Sequence, residues 1–303
     1  MPPFEPPPER ASRNFHLGRV YGKDRPRSEW TLPHLQDITA SRGNLLLRQA
    51  RGADEIEACQ RLRYRVFYEE LGANQESGAA RHGEIDSDRF DAICDHLVVV
   101  QTDSAPAEDA IMLRDGQLIG TYRLLRQEVA EANGGFYTQG EFDIAPLIRA
   151  HPDLRFLELG RSCVLKPFRT KPVVELLWQG IWNYVRAHDM HVMLGCASLE
   201  GTDPDAHALS MSFLAQAAAP PEWRVSALPH RHVEMRRVPA GQIDQRRALK
   251  HLPPLIKGYL RLGCYIGEGA VIDRQFNTID VLIVLPVSAI NSRYFAHFGQ
   301  PND

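Results

Sequence analysis

The sequence has no group of cysteines and histidines with the spacing of a metal site. Its five cysteines are odd in number, include no CxxC pair and lie far apart, at Cys59, Cys94, Cys163, Cys196 and Cys264. This pattern argues against a zinc-binding module and gives no disulfide framework. Four of the five lie in apolar or half-apolar stretches, which is typical of small buried thiols. We therefore expect no bound metal and a reducing compartment.

Long apolar runs are also missing. No stretch reaches the roughly 20 residues of a membrane-spanning helix, and the N-terminal sequence MPPFEPPPER lacks the apolar centre of a secretory signal. The formal net charge is -3, whereas proteins that coat nucleic acid are strongly basic. We expect a cytoplasmic protein without a nucleic-acid partner; peripheral contact with the inner membrane stays open.

The first 42 residues show no periodic apolar face. They are rich in proline and arginine, which is typical of a solvated tail, although contact with anionic lipid headgroups or an acidic partner is an alternative. The rest of the chain is long enough for a sizeable core and shows no internal repeat. We predict a disordered tail over residues 1–42 and a single domain over residues 43–303.

Strand and helix signals alternate along the domain. The patterns predict strands at 44–49, 96–101, 118–125, 156–165, 191–197, 264–266 and 278–285. They predict helices at 53–70, 142–149, 172–188, 205–217 and 253–262. Residues 73–92 form a long polar loop, a length that is often functional, and residues 218–245 give no clear pattern. This order predicts an α/β fold with helices on both faces of a mixed sheet.

Residues 156–184, FLELGRSCVLKPFRTKPVVELLWQGIWNY, combine an apolar strand, a basic turn and an apolar helix. A helix start of this kind can hold an anionic cofactor tail against free backbone N–H groups. In a regular strand Arg161 would face away from Glu158, but a bulge at Gly160 would bring both to one side. Glu158 is either an acceptor of an amine proton or half of a structural Glu–Arg pair.

Other charged side chains offer further candidates. Arg63 and Arg65 point about 200° apart on one predicted helix, so both cannot serve one site, and Arg65 is most simply solvated. Three acidic residues and a histidine follow in or after the long loop: Asp88, Asp91, Asp95 and His96. The acids are solvated or neutralise substrate amines, and the histidine is a buried structural residue or an auxiliary base.

Two apolar helix faces are open to two interpretations. Val174, Trp178, Ile181 and Val185 share a face of the predicted helix 172–188 and either pack in the core or line an acyl groove. The face formed by Leu255, Tyr259 and Leu262 is either core or an interfacial helix near a lipid product.

The element order and the turn after the central strand resemble the N-acyltransferase superfamily that includes the histone-type acetyltransferases. LRYRVFYEELG at 62–72 and DRFD at 88–91 match motifs of the acyl-homoserine-lactone synthases, as do Arg123 and the Glu-x-x-Arg of Glu158 and Arg161. Ala73 replaces the tryptophan of those synthases. The C-terminal block LPPLIKGYLRLGCYIGEGAVIDRQFNTIDVLIVLPVSAINSRYFAHFG, with CDHLVV and ELGRSCV, instead resembles the ornithine acyltransferases that make lyso-ornithine lipid. This resemblance covers about residues 44–299.

The resemblance implies a GNAT-like (acyl-CoA N-acyltransferase) fold and transfer of a 3-hydroxyacyl chain from acyl carrier protein to the α-amino group of L-ornithine. The glycines that cradle the coenzyme A pyrophosphate are missing, so the thioester on the phosphopantetheine of acyl carrier protein is the expected co-substrate, with no bound cofactor. Catalytic roles are implied for Glu158 and Arg161. Substrate contacts are implied for Arg63, Phe67, Asp88, Asp91, Asp95, His96 and Arg123. Carrier or pantetheine contacts are expected at Ser162, Cys163, Lys166, Arg169, Thr170 and Lys171, with Cys163 as an inert thiol.

Two alternatives stay open at this point. One is an acyl-homoserine-lactone synthase-like enzyme that uses S-adenosylmethionine. The other is a non-catalytic module that binds acyl carrier protein or lipid, which would have no use for Glu158.

Overall fold

The computed structural model describes residues 38–74, 84–103, 107–217 and 219–290. The strands are β1 Thr39–Arg42, β2 Leu45–Gln49, β3 Asp95–Gln101, β4 Met112–Leu113, β5 Gly116–Arg126, β6 Phe156–Val164, β7 Val192–Glu200, β8 His232–Val233, β9 Tyr265–Asp273 and β10 Thr278–Pro286. The α-helices are α1 Gly52–Tyr64, α2 Gln127–Ala132, α3 Ala145–Ala150, α4 Lys171–Ala187, α5 Ala208–Leu214, α6 Gln245–His251 and α7 Pro254–Leu262.

One sheet carries all ten strands, in the order β1-β2-β3-β5-β6-β7-β10-β9-β8 with β4 beside β5. Alternation along the strands sends apolar side chains to both faces. Helices α4 to α7 pack on one face, which we call the α4 face. Helices α1, α2 and α3 pack on the other, which we call the α1 face. The predicted α/β fold with helices on both faces is confirmed.

The junction of β6 and β7 is the one parallel pairing among the described strands, and it is short. Pairs form between Phe156–Glu158 and Val192–Leu194, and the strands then diverge. A Cβ on Gly195 would lie 2.2 Å from the carbonyl oxygen of Leu159. Glycine is therefore required where the two backbones still touch, just before the gap between them opens.

The predicted bulge at Gly160 is confirmed. The register of β5 and β6 shifts between the pairs Arg123–Gly160 and Thr121–Cys163. Arg161 lies inside this bulge with a φ of 52°, a left-handed conformation that costs a non-glycine residue on the order of 1 kcal/mol or more. The bulge re-aims the Arg161 side chain into the same cavity as Glu158.

The predicted helix 53–70 is confirmed, with a change of geometry inside it. Helix α1 continues as a π-helical turn, Arg65–Glu70, and the chain leaves it at Gly72 with a φ of 71°. π-helical turns frequently occur at functional sites because the extra residue rotates the side chains that follow. Here the turn carries Val66 and Phe67 into the wall of the cavity described below.

Several boundaries differ from the predictions. Strand β1 lies within the last residues of the predicted tail, while residues 1–37 of that tail and 75–83 of the predicted loop lie outside the described residues. The predicted helix 205–217 begins only at Ala208, and the predicted aspartate cap is wrong because Asp203 accepts a hydrogen bond from the Asp205 N–H in a turn instead. Helix α6, which periodicity missed because it has seven residues, is capped by Asp244.

No helix in the described parts of the chain is both long and apolar enough to cross a lipid bilayer.

Candidate active site

A cavity of about 900 Å³ opens where β6 and β7 diverge. Its wall contains side chains from both faces of the sheet: Leu159 and Met193 belong to the α4 face, and Glu158 and Cys196 to the α1 face. The gap between the two strands therefore connects a space under α4 and α7 with a space on the opposite side of the sheet.

The half of the cavity on the α4 face is apolar. Its wall is formed by α4 and α7 through Val174, Leu177, Trp178, Ile181, Trp182, Leu255, Tyr259 and Leu262. Three of the four residues of the predicted stripe on α4 therefore line a groove, while Val185 packs in the core. This half also contains two tyrosines, Tyr122 and Tyr259. Their hydroxyl groups share a hydrogen bond, with 2.8 Å between the two oxygens.

The half on the α1 face is polar and centres on Glu158. This residue is 5% exposed, and its two carboxylate oxygens accept the backbone N–H groups of Tyr137 at 3.0 Å and Thr138 at 2.7 Å. Burial raises the pKa of Glu158, although these hydrogen bonds oppose the shift. A carboxylate in this state is poised to take a proton from an amine.

Two glycines shape the segment that holds Glu158. Gly134 and Gly135 have φ values of 86° and 101°, and they turn the chain into the 3-10 turn Tyr137–Gly140. The side chain of Gln139 fixes the start of that turn by accepting the Phe136 N–H at 2.7 Å. Tyr137 and Thr138 were not predicted as site residues, because their backbone N–H groups, and not their side chains, make the contact.

Arg161 does not pair with Glu158, so the structural Glu–Arg pair that the spacing allowed is wrong. Its guanidinium instead lies 3.3 Å from Asp86 and 3.1 Å from Asp88. It also stacks over the rings of Tyr137 and Phe276, at 4.8 and 4.5 Å from their centroids. Burial lowers the pKa of Arg161, but the neighbouring acidic groups raise it well above its ordinary value, so the side chain stays charged.

Arg123 and Arg63 extend this ion-pair network behind the cavity. Arg123 lines the cavity and reaches Asp88 at 2.7 Å and Asp91 at 3.1 Å. Arg63 is fully buried, with Asp86 and Asp91 each 2.8 Å from its nitrogens. Burial raises the pKa of Asp91, but the hydrogen bonds and charges of the two arginines hold it below its ordinary value.

The network corrects three of the predicted substrate contacts. The guanidinium of Arg63 lies behind the cavity wall, where it donates two hydrogen bonds to the Asp91 carboxylate, and Asp88 and Asp91 are paired with arginines rather than open to a substrate amine. These residues hold Arg123 and Arg161 in place. Asp86, which the sequence analysis did not single out, is the member that joins Arg63 to Arg161.

Asp95 and His96 also lie away from the cavity among the described residues. Asp95 accepts a hydrogen bond from the Tyr184 hydroxyl. The Nε2 atom of His96 lies 3.2 Å from the carbonyl oxygen of Asp91, and burial lowers the pKa of this histidine. The buried structural histidine is thus the interpretation that the contacts favour, and the predicted substrate contacts of both residues are not supported.

The basic turn lies at the mouth of the cavity. Lys166–Phe168 form a 3-10 turn and α4 starts at Lys171, which confirms the strand–turn–helix arrangement. Arg169, Thr170 and Lys171 line the mouth, and Lys166 is exposed beside it. The guanidinium of Arg169 makes two hydrogen bonds to Glu70, at 2.6 and 2.7 Å.

Ser162 and Cys163 face the gap between the two strands. Burial raises the pKa of the Cys163 thiol, so the nucleophilic thiolate is disfavoured. Phe67, from the π-helical turn, completes this part of the wall and packs edge-on against Phe276.

A second acidic group in the polar half was missed by the sequence analysis. Asp273 and Asp280 line the cavity, and Glu141 adjoins Asp280. Burial and the charge of Asp280 raise the pKa of Glu141 to about 7, and burial raises that of Asp280 to about 6. The available signal was a lone acid within an apolar strand, TIDVLIVLP, the same signal that identified Glu158 in FLELG.

Comparison with known proteins agrees with this architecture. Residues 62–179 match the family model of the acetyltransferase (GNAT) domain. The chain is 50% identical over 275 residues to the L-ornithine N(alpha)-acyltransferase of Agrobacterium fabrum, covering 90% of this chain and 91% of that protein. It is 49% identical over 265 residues to the protein of the same name from Rhizobium meliloti, with 87% of each covered.

Among solved structures, an N-acyl amino acid synthase from uncultured soil microbes aligns with a TM-score of 0.47 and 11% identity, over 84% of this chain and 98% of that one. The relationship itself rests on the sequence identities, which extend over nearly the whole length of both relatives. The chain, an acyltransferase with a GNAT domain, belongs to the L-ornithine N(alpha)-acyltransferase family.

Proposed function

We propose that this protein transfers a 3-hydroxyacyl chain from the phosphopantetheine thioester of acyl carrier protein to the α-amino group of L-ornithine, giving lyso-ornithine lipid. One observation carries the proposal: a single cavity joins an apolar groove to a buried carboxylate at the gap between β6 and β7. The acceptor is the one that the names of the relatives give for their own substrate.

The two halves of the cavity support separate binding places for the two substrates. The apolar groove under α4 and α7 receives the acyl chain, because burial of its methylenes there is favourable by about 0.8 kcal/mol each. The hydroxyls of Tyr122 and Tyr259 stand in the same groove. They offer partners to a 3-hydroxyl group, which would otherwise be buried without a hydrogen bond.

Glu158 then acts on the amine. The α-ammonium group gives one proton to Glu158, directly or through water, and the neutral amine attacks the thioester carbonyl. Backbone N–H groups near Ser162 and Cys163 stabilise the oxyanion that develops. As the amide forms, the attacking nitrogen gives up a second proton; the C–S bond breaks, its sulfur takes up a proton, and the phosphopantetheine leaves as a thiol. No acyl group is attached to the protein at any stage.

Arg161 and Arg123 hold the acceptor for this attack. Both guanidinium groups line the cavity next to Tyr137, and a carboxylate is the natural partner of an arginine in a largely buried site. The aspartates behind them, Asp86 and Asp88, fix their positions. An amino acid with its carboxylate at Arg161 would present its α-nitrogen towards Glu158.

The mouth of the cavity fits acyl carrier protein, whose surface is acidic. Lys166 and Lys171 are exposed on the turn and at the first residue of α4. A phosphodiester there would meet the positive end of a 17-residue helix. Exposed Leu71 and Val174 line the same mouth, which fits release of a lipid product by a cytoplasmic enzyme in peripheral contact with the membrane.

The test is a product assay by mass spectrometry with purified protein and 3-hydroxyacyl carrier protein. Ornithine, lysine, glycine and S-adenosylmethionine are offered separately, and acyl coenzyme A replaces the carrier in a parallel series. We expect an amide of ornithine with the carrier-bound donor. A product formed with S-adenosylmethionine in place of ornithine, or carrier binding without any product, would overturn the proposal in favour of a signal synthase or a non-catalytic module.

A further inference from the structure

The reaction at Glu158 leaves two further buried carboxylates unused: Asp280, in the wall of the cavity, and Glu141 beside it. We call Glu141 and Asp280 the acidic pair. They are 3% and 5% exposed, and their carboxylates lie within 4.8 Å of each other and of the Cys196 thiol. Asp273, on the neighbouring strand, adds a third carboxylate to the same region.

Within the described residues the two carboxylates of the acidic pair have one cation between them. Arg231 lies 3.6 Å from Glu141 Oε1, whereas no ion pair of the described chain includes Asp280, whose Oδ1 atom accepts the Thr278 hydroxyl at 2.9 Å. The Oε2 atom of Glu141 is buried and makes no hydrogen bond to a described residue. A buried, unpartnered carboxylate oxygen is costly, and binding of a cation would remove that cost.

The raised pKa values of Glu141 and Asp280 agree with a binding site for a positively charged group. Burial and the charge of Asp280 raise the pKa of Glu141 to about 7, and burial with the charge of Asp273 raises that of Asp280 to about 6. An ammonium group between the two carboxylates would favour their charged forms.

The position of the pair relative to Glu158 sets the length of its ligand. Thr138 connects the two places: its N–H donates to Glu158 at 2.7 Å, and its hydroxyl oxygen lies 3.9 Å from the Cys196 sulfur. Along β7, Cys196 lies two residues beyond Leu194, the partner of Glu158 in the sheet, a step of about 7 Å. The two nitrogens of an extended ornithine are separated by about 6 Å, from standard bond lengths.

We propose that Glu141 and Asp280 bind the distal ammonium group of a dibasic amino-acid acceptor and thereby select ornithine over neutral amino acids. The inference rests on the proposed function, because it requires the α-amino group to lie beside Glu158. It also explains why the loop aspartates are not needed for this task, since arginines already neutralise them.

A metal ion is the competing occupant, because two carboxylates and a thiol form a plausible ligand set. The metal content of the purified protein distinguishes the two occupants.

The test compares L-ornithine with L-norvaline, which lacks only the distal amine, in the wild type and in Glu141→Gln and Asp280→Asn. Asp143→Asn, at an exposed carboxylate two residues from Glu141, is the matched control. We expect kcat/KM for ornithine to fall about 10- to 100-fold in Glu141→Gln and in Asp280→Asn, the loss typical of one charged hydrogen bond, while the lower value for norvaline changes less than threefold. The control should match the wild type.

A second measurement needs no variant: ornithine should raise the Tm of the wild-type protein, and norvaline at the same concentration should not. Equal losses for both acceptors in the variants, or equal Tm shifts, would overturn the inference while leaving ornithine acylation intact. One equivalent of metal in the purified wild type, lost in Glu141→Gln, would overturn it in favour of a metal site. If the wild type acylates only neutral amino acids, the proposed function itself is contradicted.

Discussion

Replacing Glu158 by glutamine tests its proposed role as the base that accepts the amine proton. The change keeps the shape of the side chain but removes its ability to accept the amine proton. A positioned general base contributes about 10²- to 10⁴-fold to a rate, which corresponds to about 3–5 kcal/mol of activation free energy. We expect kcat to fall by that factor. KM for the acyl donor should stay within a few-fold, because the donor occupies the groove under α4 and α7.

The structure also sets the effect of this substitution on stability. The carboxylate accepts two backbone N–H groups, from Tyr137 and Thr138, and a glutamine amide places a donor against one of them. An unpaired buried N–H costs about 1–3 kcal/mol. Removal of a buried charge opposes this cost, so we expect the free energy of unfolding to change by less than about 2 kcal/mol. Chemical denaturation would show that the variant is folded.

The pH dependence separates a base from a residue that only orients the amine. Because burial raises the pKa of Glu158, kcat of the wild type should rise with pH as this carboxyl group loses its proton, and then level off. In Glu158→Gln this rise of kcat with pH should be absent. Thiol release from the carrier protein, followed across pH, measures the pH profiles of the wild type and of the variant. Glu57→Gln, in an exposed pair with Arg61, is the control, and a Glu158→Gln enzyme with full turnover and an unchanged pH profile would refute the reasoning.

Four further predictions address the surroundings of this centre. Asp86→Asn leaves a buried arginine without its carboxylate and should lower the free energy of unfolding by about 3–5 kcal/mol in urea titrations; a loss below about 1 kcal/mol would contradict the role given to the network. Tyr259→Phe should reduce the preference for 3-hydroxyacyl over unsubstituted acyl donors about tenfold in a competition assay, the effect of one hydrogen bond. An unchanged preference would contradict the proposed contact between Tyr259 and the 3-hydroxyl group. Charge reversal of Lys166 and Lys171 should raise KM for acyl carrier protein, more strongly at low salt, without changing kcat. In the folded protein the pKa of Glu141 is raised to about 7, so the free energy of unfolding should be highest below the pKa that this group has in the unfolded chain and should fall as pH rises to about 8. Glu141→Gln should remove up to about 3 kcal/mol of this fall in stability. If the free energy of unfolding of wild type and variant had the same dependence on pH, the burial of Glu141 would be contradicted.

The sequence predicts the fold closely where periodicity is strong. The strand at Phe156–Val164, the turn after it and the helix Lys171–Ala187 all form as expected, because long apolar patterns decide burial and therefore structure. Short elements such as α6 were missed, since seven residues hardly establish a period. The parallel pairing of β6 and β7 also could not be predicted, because pairing between strands depends on tertiary contacts.

The site was predictable in its residue types and less so in its contacts. Glu158 and Arg161 were identified, and their shared cavity follows from the bulge at Gly160. The partners of Arg161 could not be read from spacing, since Asp86 lies 75 positions earlier and reaches it only after the loop folds back. The aspartates near Arg63 looked like substrate ligands because a sequence does not reveal which opposite charges neutralise each other.

The most direct test of the central claim is the position of the new amide bond. Purified protein is given 3-hydroxyacyl carrier protein and ornithine labelled with ¹⁵N at the α-nitrogen only, and the product is analysed by tandem mass spectrometry. A carboxylate beside the acyl groove and an acidic pair for the distal ammonium predict that the acyl group is attached to the labelled nitrogen. An acyl group on the unlabelled distal nitrogen, or no product, would contradict the account.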